Sequence, residues 1–296
     1  MMTGGFEAKS REELKSAFLY PGGCSVPSFE QGIVGHVTFV TQDLTPSIAT
    51  CGGQLDGGGF KKDCVLLQGN RWQGGILEDL PDVRDRAGSV VIKSGVYILG
   101  GRSTHETSIF LRANSRSWET GPRLPSPTGP SNPDMIWHDI PCAAQISSDS
   151  FLLQYETNVY EFNARVSGPT NYAGWAPKAK WPQLKKTNGA AAGCGVVNNI
   201  FVVASAHGTE IINLSTRTLT QGGDLAKARR YHKILSINGR LYALGGWNWS
   251  SELGHHFLAD VEEFVEETGT WKPSPALPGR RADGGGVAVD LALVCG

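Results

Sequence analysis

The sequence has almost no net charge and no long run of basic or apolar residues. Its 296 residues carry 27 Lys and Arg against 28 Asp and Glu, and no Lys/Arg run exceeds two residues. A nucleic-acid partner is not expected, because phosphate binding depends on concentrated positive charge. The longest apolar stretches, such as 200–204, have the length of a strand. No membrane span is predicted, since a spanning helix needs roughly 20 apolar residues.

Several signatures of catalysis, metal binding and export are missing too. No Cys-x-x-Cys pair, Cys/His zinc spacing or Gly-x-Ser-x-Gly motif occurs, and the glycine clusters 57–59 and 284–286 lack the Lys-Ser/Thr of a phosphate loop. Charged residues such as Glu7 and Arg11 follow the first Met closely, which is unlike the apolar core of a secretion signal. We therefore predict no catalytic residues, no metal and no cofactor.

Turn-forming residues, in contrast, are plentiful. The chain has 38 Gly and 16 Pro, and it is 40% hydrophobic but only 19% charged. This composition is typical of short buried strands joined by tight turns, and it argues against disorder, coiled coil or collagen. The length fits either two ordinary domains or one large repetitive domain.

Glycine doublets recur at a regular interval. Doublets begin at Gly4, Gly52 and Gly100, which are 48 residues apart, and the next clear one begins at Gly245. The 292 residues from Gly4 to Gly296 correspond to six periods of 48 to 49 residues. A period of this size indicates a repeat architecture.

Each unit has a recognisable order of residues. A β-rich segment such as 96–99 or 241–244 precedes the doublet, and about 20 residues later come an aromatic residue and a Leu-Pro pair. Trp72, Trp118 and Trp271 are the aromatic residues. Arg or His residues then open the next unit, as in 229–232.

This order resembles the kelch repeat across essentially the whole chain, most clearly over 86–118 and 230–271. The resemblance implies an all-β fold, a six-bladed β-propeller of four-stranded antiparallel blades, in the galactose-oxidase-like central-domain superfamily. The units around 151–156 and 200–205 lack the doublet, so the exact boundaries of blades three and four stay open.

The two ends of the chain are predicted to complete the ring together. The first residues supply the latter half of a unit and the last residues supply the first half, and neither half can bury its faces alone. We predict one domain, 1–296, whose sixth blade is a composite of about 1–29 and 282–296. Residues 8–17 would also suit a short helix, which makes the N-terminal strand the least secure element.

The six cysteines are placed unevenly. Cys51 ends one strand and Cys64 begins the next antiparallel strand, so a disulfide between them is predicted. In the chain-entropy model, closing such a loop stabilises the fold by about 3 kcal/mol. For Cys142 and Cys194 buried free thiols are preferred, with a bridge between adjacent first strands as the alternative. The pairing of Cys24 and Cys295 stays open.

The compartment depends on the predicted bridge. A disulfide between Cys51 and Cys64 favours an extracellular, secreted protein, whereas free thiols favour the cytoplasm. Two sequons, at Asn213 and Asn248, are compatible with secretion.

Candidate binding residues lie in the connections between strands. The connection after Gly245 contains Trp247, Trp249 and His255, a composition suited to an apolar side chain or a sugar face. Each Trp could instead fill space between blades. Trp137 lies in the Pro-rich connection 122–141, which is long for a loop in a compact domain.

Basic residues and a tyrosine complete the candidate set. Arg229 and Tyr231 open a unit, although basic residues there could instead pair with carboxylates of neighbouring blades. Arg102 follows the doublet at Gly100. Kelch domains that bind acidic peptides often use Arg at such rims, so a role for Arg102 is implied by the resemblance alone.

These observations predict a non-catalytic, monomeric binding module for a protein segment or a glycan. The alternative is a copper radical oxidase of the galactose-oxidase type, because Tyr231 and His232 resemble the Tyr-His ligand pair of that group. Such a site needs two Tyr, one cross-linked to Cys, and two His. His255 and His256 lie in the same unit, but no further domain follows in this sequence to deliver another ligand.

Overall fold

The protein is described by a computed structural model that covers most of the chain. The described residues are 2–3, 17–18, 26–43, 45–55, 58–101, 106–125, 141–166, 174–176, 180–186, 191–250, 254–282 and 284–289. Within these residues all regular elements are strands, and the all-β prediction is confirmed. They include no helix with the length and apolar character needed to cross a membrane.

The strands are numbered in chain order. Their bounds are β1 Met2–Thr3, β2 Ala17–Phe18, β3 Ile33–Val34, β4 Val37–Val40, β5 Ile48–Cys51, β6 Gln54–Leu55, β7 Cys64–Gln68, β8 Arg71–Gly74, β9 Gly88–Ile92, β10 Gly95–Leu99, β11 Ser108–Arg112, β12 Trp118–Thr120, β13 Cys142–Ser147, β14 Ser150–Tyr155, β15 Asn158–Asn163, β16 Gly193–Val197, β17 Ile200–Ser205, β18 Gly208–Asn213, β19 Leu219–Gln221, β20 Lys233–Ile237, β21 Arg240–Leu244, β22 Trp247–Ser250, β23 Gly254–Phe257, β24 Val261–Val265, β25 Thr270–Ser274 and β26 Gly285–Gly286.

Five antiparallel sheets have the form of propeller blades. Blade 1 has the order β4-β5-β7-β8, blade 2 is β9 to β12, blade 3 is β13 to β15, blade 4 is β16 to β19, and blade 5 is β20-β21-β24-β25. The first strand of each blade contacts the first strand of the next, from β4 through β9, β13 and β16 to β20. These first strands therefore surround a central channel.

The two ends of the chain meet in a smaller sheet. Its order is β2-β1-β26, and Met2 and Thr3 pair with Gly286 and Gly285. Strand β26 contacts both β20 and β4. The described residues thus form five blades plus this three-stranded sheet, so the predicted count of six blades is not confirmed. Most of the other residues assigned to a sixth blade lie outside the described part of the chain.

The hydrophobic core lies between the blades. In β10, Val96 and Ile98 pack towards blade 1, whereas Tyr97 and Leu99 pack towards blade 3. All five residues of β10 are buried. The continuous apolar runs of the sequence are explained by this two-sided burial, because alternate side chains of a strand point to opposite faces.

The glycine doublets that begin at Gly52 and Gly245 lie where another segment of backbone approaches closely. Gly245 and Gly246 have φ of +63° and +98°, and a Cβ at Gly245 would lie 2.4 Å from the carbonyl oxygen of Arg281. The N–H of Gly246 donates to the same carbonyl at 2.6 Å. A side chain at either position would meet both steric overlap and unfavourable backbone geometry.

Blades 3 and 4 show why their doublets are missing. Their second and third strands join through two-residue turns, which lie between the pairs Tyr155/Asn158 and Ser205/Gly208. A turn this short does not extend to the next blade, so glycine is not needed to allow a close backbone contact there. The structure supplies the blade boundaries that the sequence left open. The strands of blade 3 span 142–163, and those of blade 4 span 193–221.

The described residues contain two disulfides, one within a blade and one between neighbouring blades. The predicted Cys51–Cys64 bond is confirmed, and it joins facing residues of β5 and β7. The preference for free thiols at Cys142 and Cys194 is wrong, since they are bonded to each other. Their Cα atoms are 5.8 Å apart on the first strands of blades 3 and 4, which is within bridging range. Cys24 and Cys295 lie outside the described residues.

Candidate functional site

One end of the channel is surrounded by residues with left-handed backbone conformation. Gly35, Arg86, Ala191 and Tyr231 have φ between +45° and +66°, and each stands two residues before the first strand of its blade. This repeated kink is favourable for Gly and costly for other residues. It places the side chains of Arg86 and Tyr231 at the same end of the channel.

An aromatic pair lies at this end. The rings of Tyr231 and Trp247 are stacked, with centroids 5.9 Å apart and planes inclined by 14°. The backbones of Arg230 and Trp247 exchange hydrogen bonds of 3.0 and 2.9 Å, which fix the start of β22 against the segment before β20. The position of the pair is therefore set by the main chain.

Arg86 reaches this pair from another blade. Its guanidinium carbon lies 5.6 Å from the centroid of the Tyr231 ring, in the range of a cation–π contact. A second contact places its Nη1 3.6 Å from the carboxylate of the buried Asp85. Since β9 and β20 are not neighbours in the ring, the Arg86 contact with Tyr231 spans the channel.

A second cationic group lies beside the stack. Nη2 of Arg230 is 3.5 Å from Nε2 of His207, which lies in the two-residue turn of blade 4. We call Arg86, His207, Arg230, Tyr231 and Trp247 the rim cluster. It combines two guanidinium groups, one imidazole and two aromatic rings, contributed by three blades.

The hairpin β22–β23 extends from the rim cluster. Its register pairs Trp247 with Phe257 and Trp249 with His255. The structure therefore brings four of the predicted site residues into one region, with Trp249 and His255 on the hairpin and Tyr231 against its first residue.

Arg229 lies in a different environment from the one predicted for a binding residue. It is fully buried, and its guanidinium donates to Glu262 and to the carbonyl oxygens of Gly245 and Asp260. Burial lowers the pKa of Arg229, and the nearby Glu262 and Asp260 oppose this shift. No partner could contact this side chain, so it is excluded from the rim cluster. Arg102 and Trp137 lie outside the described residues.

Three residues of the rim cluster were not among the predicted binding residues, and one of them, Arg230, lies in the segment 229–232 that opens a unit. Arg86 occupies the same place before β9 that Tyr231 occupies before β20, so alignment of the repeats could have indicated it. His207 lies in a two-residue turn without any sequence motif. Its proximity to Arg230 depends on how blades 4 and 5 pack.

The described residues do not fit the copper site of a radical oxidase. They contain no group of three or more His, Cys, Asp or Glu side chains arranged to hold a metal. The four described cysteines are all in disulfides, so none is available for a thioether cross-link to Tyr231. His232 is 3% exposed, and burial, with smaller effects from Arg229 and Lys233, lowers its pKa to about 3.

Comparison with known families agrees with this geometry. The ring of antiparallel sheets defines a β-propeller. The family model of the Kelch motif matches residues 228–278, the segment that includes most of the rim cluster. Together, the ring and the motif support a kelch-repeat propeller. A search of curated proteins found no match. Membership of the galactose-oxidase-like superfamily stays a prediction.

Proposed function

We propose that the protein is a non-catalytic binding module that captures a protein segment or a glycan at the rim cluster. The observation that carries this proposal is the chain of contacts from Arg86 through Tyr231 to Trp247, which combines a cation and two rings at one end of the channel. Propeller faces serve as binding sites because loops from many blades converge on a rigid ring.

The rim cluster supplies two kinds of interaction. The rings of Tyr231 and Trp247 offer flat apolar area that loses little conformational entropy on binding. Arg86 and Arg230 would orient an anionic group of the partner through charge-assisted hydrogen bonds. Because Arg230 and Trp247 are joined through their backbones, little ordering is needed when a partner binds.

The same proposal includes a monomeric ring with a sixth blade, built from both ends of the chain. Its support is the pairing of β1 with β26 and the position of β26 between β20 and β4. Val287 and Val289 also pack against the apolar cluster of blade 1 that contains Phe29 and Ile33. These contacts cover the face of blade 1 that is not packed against blade 2.

We also propose an extracellular location. The support is the pair of disulfides, one of which closes a loop of blade 1 while the other joins blades 3 and 4. Disulfides persist in oxidising compartments and are rare in the cytosol.

The binding proposal is tested with two probes, a printed glycan array and a displayed peptide library. A ligand from either probe should bind Arg86→Ala and Trp247→Ala at least ~10-fold more weakly than the native protein. Arg112→Ala is the matched control, because this Arg is exposed on the outer part of blade 2. If a ligand binds all three variants equally well, the rim cluster is not its site.

A separate experiment tests the absence of catalysis. The purified protein is loaded with copper, washed, and assayed for bound metal and for oxidation of primary alcohols. We expect no tightly bound copper and no turnover. One copper per chain together with alcohol oxidation would overturn the proposal in favour of an oxidase.

A further inference from the structure

A cavity of about 120 Å³ lies at the centre of the ring. Its walls are formed mainly by the first residues of the innermost strands, including Thr38, Ser89, Cys142, Gly193, Lys233 and Gly285. A water molecule needs roughly 10–15 Å³ of such volume. The cavity can therefore hold several waters or one small organic molecule.

His232 lines this cavity and is buried without hydrogen bonds. It is 3% exposed, and neither Nδ1 nor Nε2 has a partner in the described part of the protein. Buried polar side chains are almost always hydrogen-bonded, since an unsatisfied group costs about 1–3 kcal/mol. A lone buried imidazole beside an open volume therefore points to a molecule in that volume.

The repeat contains a second histidine at the same place. His36 precedes β4 directly, as His232 precedes β20, and it is 2% exposed. Its Nε2 accepts a hydrogen bond of 3.1 Å from the N–H of Gly285, the first residue of β26. The residue that matches Gly285 beside His232 is Gly193, the first of β16.

Gly193 leaves room for the His232 ring because it has no side chain, but it forms no hydrogen bond with the ring. A Cβ at Gly193 would lie 2.8 Å from Nε2 of His232, so only glycine fits here without displacing the ring. In blade 1 this histidine thus accepts a hydrogen bond from the protein, whereas in blade 5 none of the described residues bonds to His232. The difference makes His232 available to a ligand.

The charge state of His232 defines the chemistry of that ligand. Its pKa is lowered to about 3, first by burial and then by Arg229 and Lys233, so the ring is neutral near pH 7. A neutral imidazole has one N–H donor and one acceptor nitrogen. A hydroxyl group can accept from the N–H or donate to the other nitrogen. An anion can bind only the N–H, and a metal ion can bind only the acceptor nitrogen.

We propose that the central cavity binds an uncharged hydroxylic ligand, either water or a short polyol, that is hydrogen-bonded to the imidazole of His232. Its other hydroxyl contacts would come from the cavity wall, where Thr38 and Ser89 lie. This site adjoins the rim cluster, because Tyr231 also lines the cavity, but its ligand would lie within the ring and not on the rim.

Two crystals of the native chain test the proposal. One is grown and frozen without polyols, and the other is soaked in glycerol. We expect an ordered oxygen within hydrogen-bonding distance of His232 in both. Water in both crystals identifies water as the ligand, and glycerol-shaped density after soaking identifies a polyol. An empty cavity in both crystals would overturn the proposal.

Solution measurements and variants extend the test. Magnetisation transfer from water or glycerol to the His232 ring protons should be observed in the native protein. His232→Leu should lose the ordered oxygen, whereas His36→Leu should keep it at His232. If the oxygen persists in His232→Leu, His232 is not the binding group. Because the native crystals decide occupancy, poor folding of a variant does not remove the test.

Discussion

The guanidinium of Arg229 and the carboxylate of Glu262 form an ion pair inside blade 5, with both side chains buried. Arg84 occupies the matching place in blade 2, but its guanidinium donates to the carbonyls of Gly100 and Thr107 and to the Thr107 hydroxyl. Burial lowers the pKa of Arg84 to about 10, against the effect of Asp82. Both units therefore contain a buried Arg whose guanidinium donates to carbonyl oxygens of nearby loops. In blade 5 the guanidinium also binds the carboxylate of Glu262.

Removing the charge of Glu262 should be costly. Glu262→Gln would leave Arg229 buried with a positive charge and without the carboxylate that is bonded to it, and breaking such a pair costs about 3–5 kcal/mol. The measurement is the free energy of unfolding in urea. Glu263→Gln is the matched control, since this neighbour pairs with the largely exposed Arg240 and Lys272 and should cost less than about 1 kcal/mol. Equal losses of unfolding free energy in the two variants would contradict a stabilising role for the buried Arg229–Glu262 pair.

The close approach at the glycine doublets can be tested separately from backbone strain. Gly245→Ala adds a methyl group 2.4 Å from the carbonyl of Arg281, whereas Gly239→Ala meets nothing within 4 Å. Both glycines have left-handed φ, of +63° and +72°, so each substitution carries about 1–2 kcal/mol of strain. Gly245→Ala should lose clearly more unfolding free energy. If the two losses are the same, steric contact between blades does not explain the doublet.

Much of the fold could be predicted because its determinants are local and repeated. The strand before each doublet, the doublet itself and Trp118 or Trp271 all lie within one period of the sequence. The indole of Trp118 donates to the carbonyl of Glu78 in the preceding connection, and that of Trp271 donates to Thr209 of blade 4. A residue with the same task in each unit leaves a periodic pattern that can be read without a structure.

The candidate site was predicted less completely because it depends on the ring as a whole. Tyr231 and Trp247 could be identified as neighbours of one unit. The contact between Arg86 and Tyr231 joins two blades across the channel, and the Cys142–Cys194 bond joins two different first strands. No spacing within one period encodes these pairs, since they depend on the angle and order in which the blades pack.

The two disulfides should stabilise the protein to different extents. They separate their cysteines by 13 residues for Cys51–Cys64 and by 52 residues for Cys142–Cys194. In the chain-entropy model these closures correspond to about 3 and about 4 kcal/mol. The Cys142→Ala/Cys194→Ala double variant should therefore unfold at lower urea than Cys51→Ala/Cys64→Ala. The opposite order would show that local packing outweighs loop closure.

Both bonds can be checked in the native chain by mass measurement. Alkylation without reductant should leave these four cysteines unmodified, and alkylation after reduction should label them. Peptides linking Cys142 to Cys194 should be recovered from a digest of the unreduced protein. Labelling of all six cysteines without reductant would contradict both bonds and, with them, the support for an extracellular location.

Acid should destabilise the protein through His232. The unfolded chain takes up a proton on this residue below about pH 6.5, its ordinary pKa, whereas the folded ring stays neutral until about pH 3. Stability contributed by the neutral ring is therefore complete above pH 6.5 and is lost as pH falls towards 3. Between pH 7 and 5 this loss amounts to about 2 kcal/mol. His232→Gln cannot titrate, so its unfolding free energy should fall by that much less over the same interval. Parallel pH profiles for the two proteins would mean that His232 is protonated, or exposed to water, in the folded state.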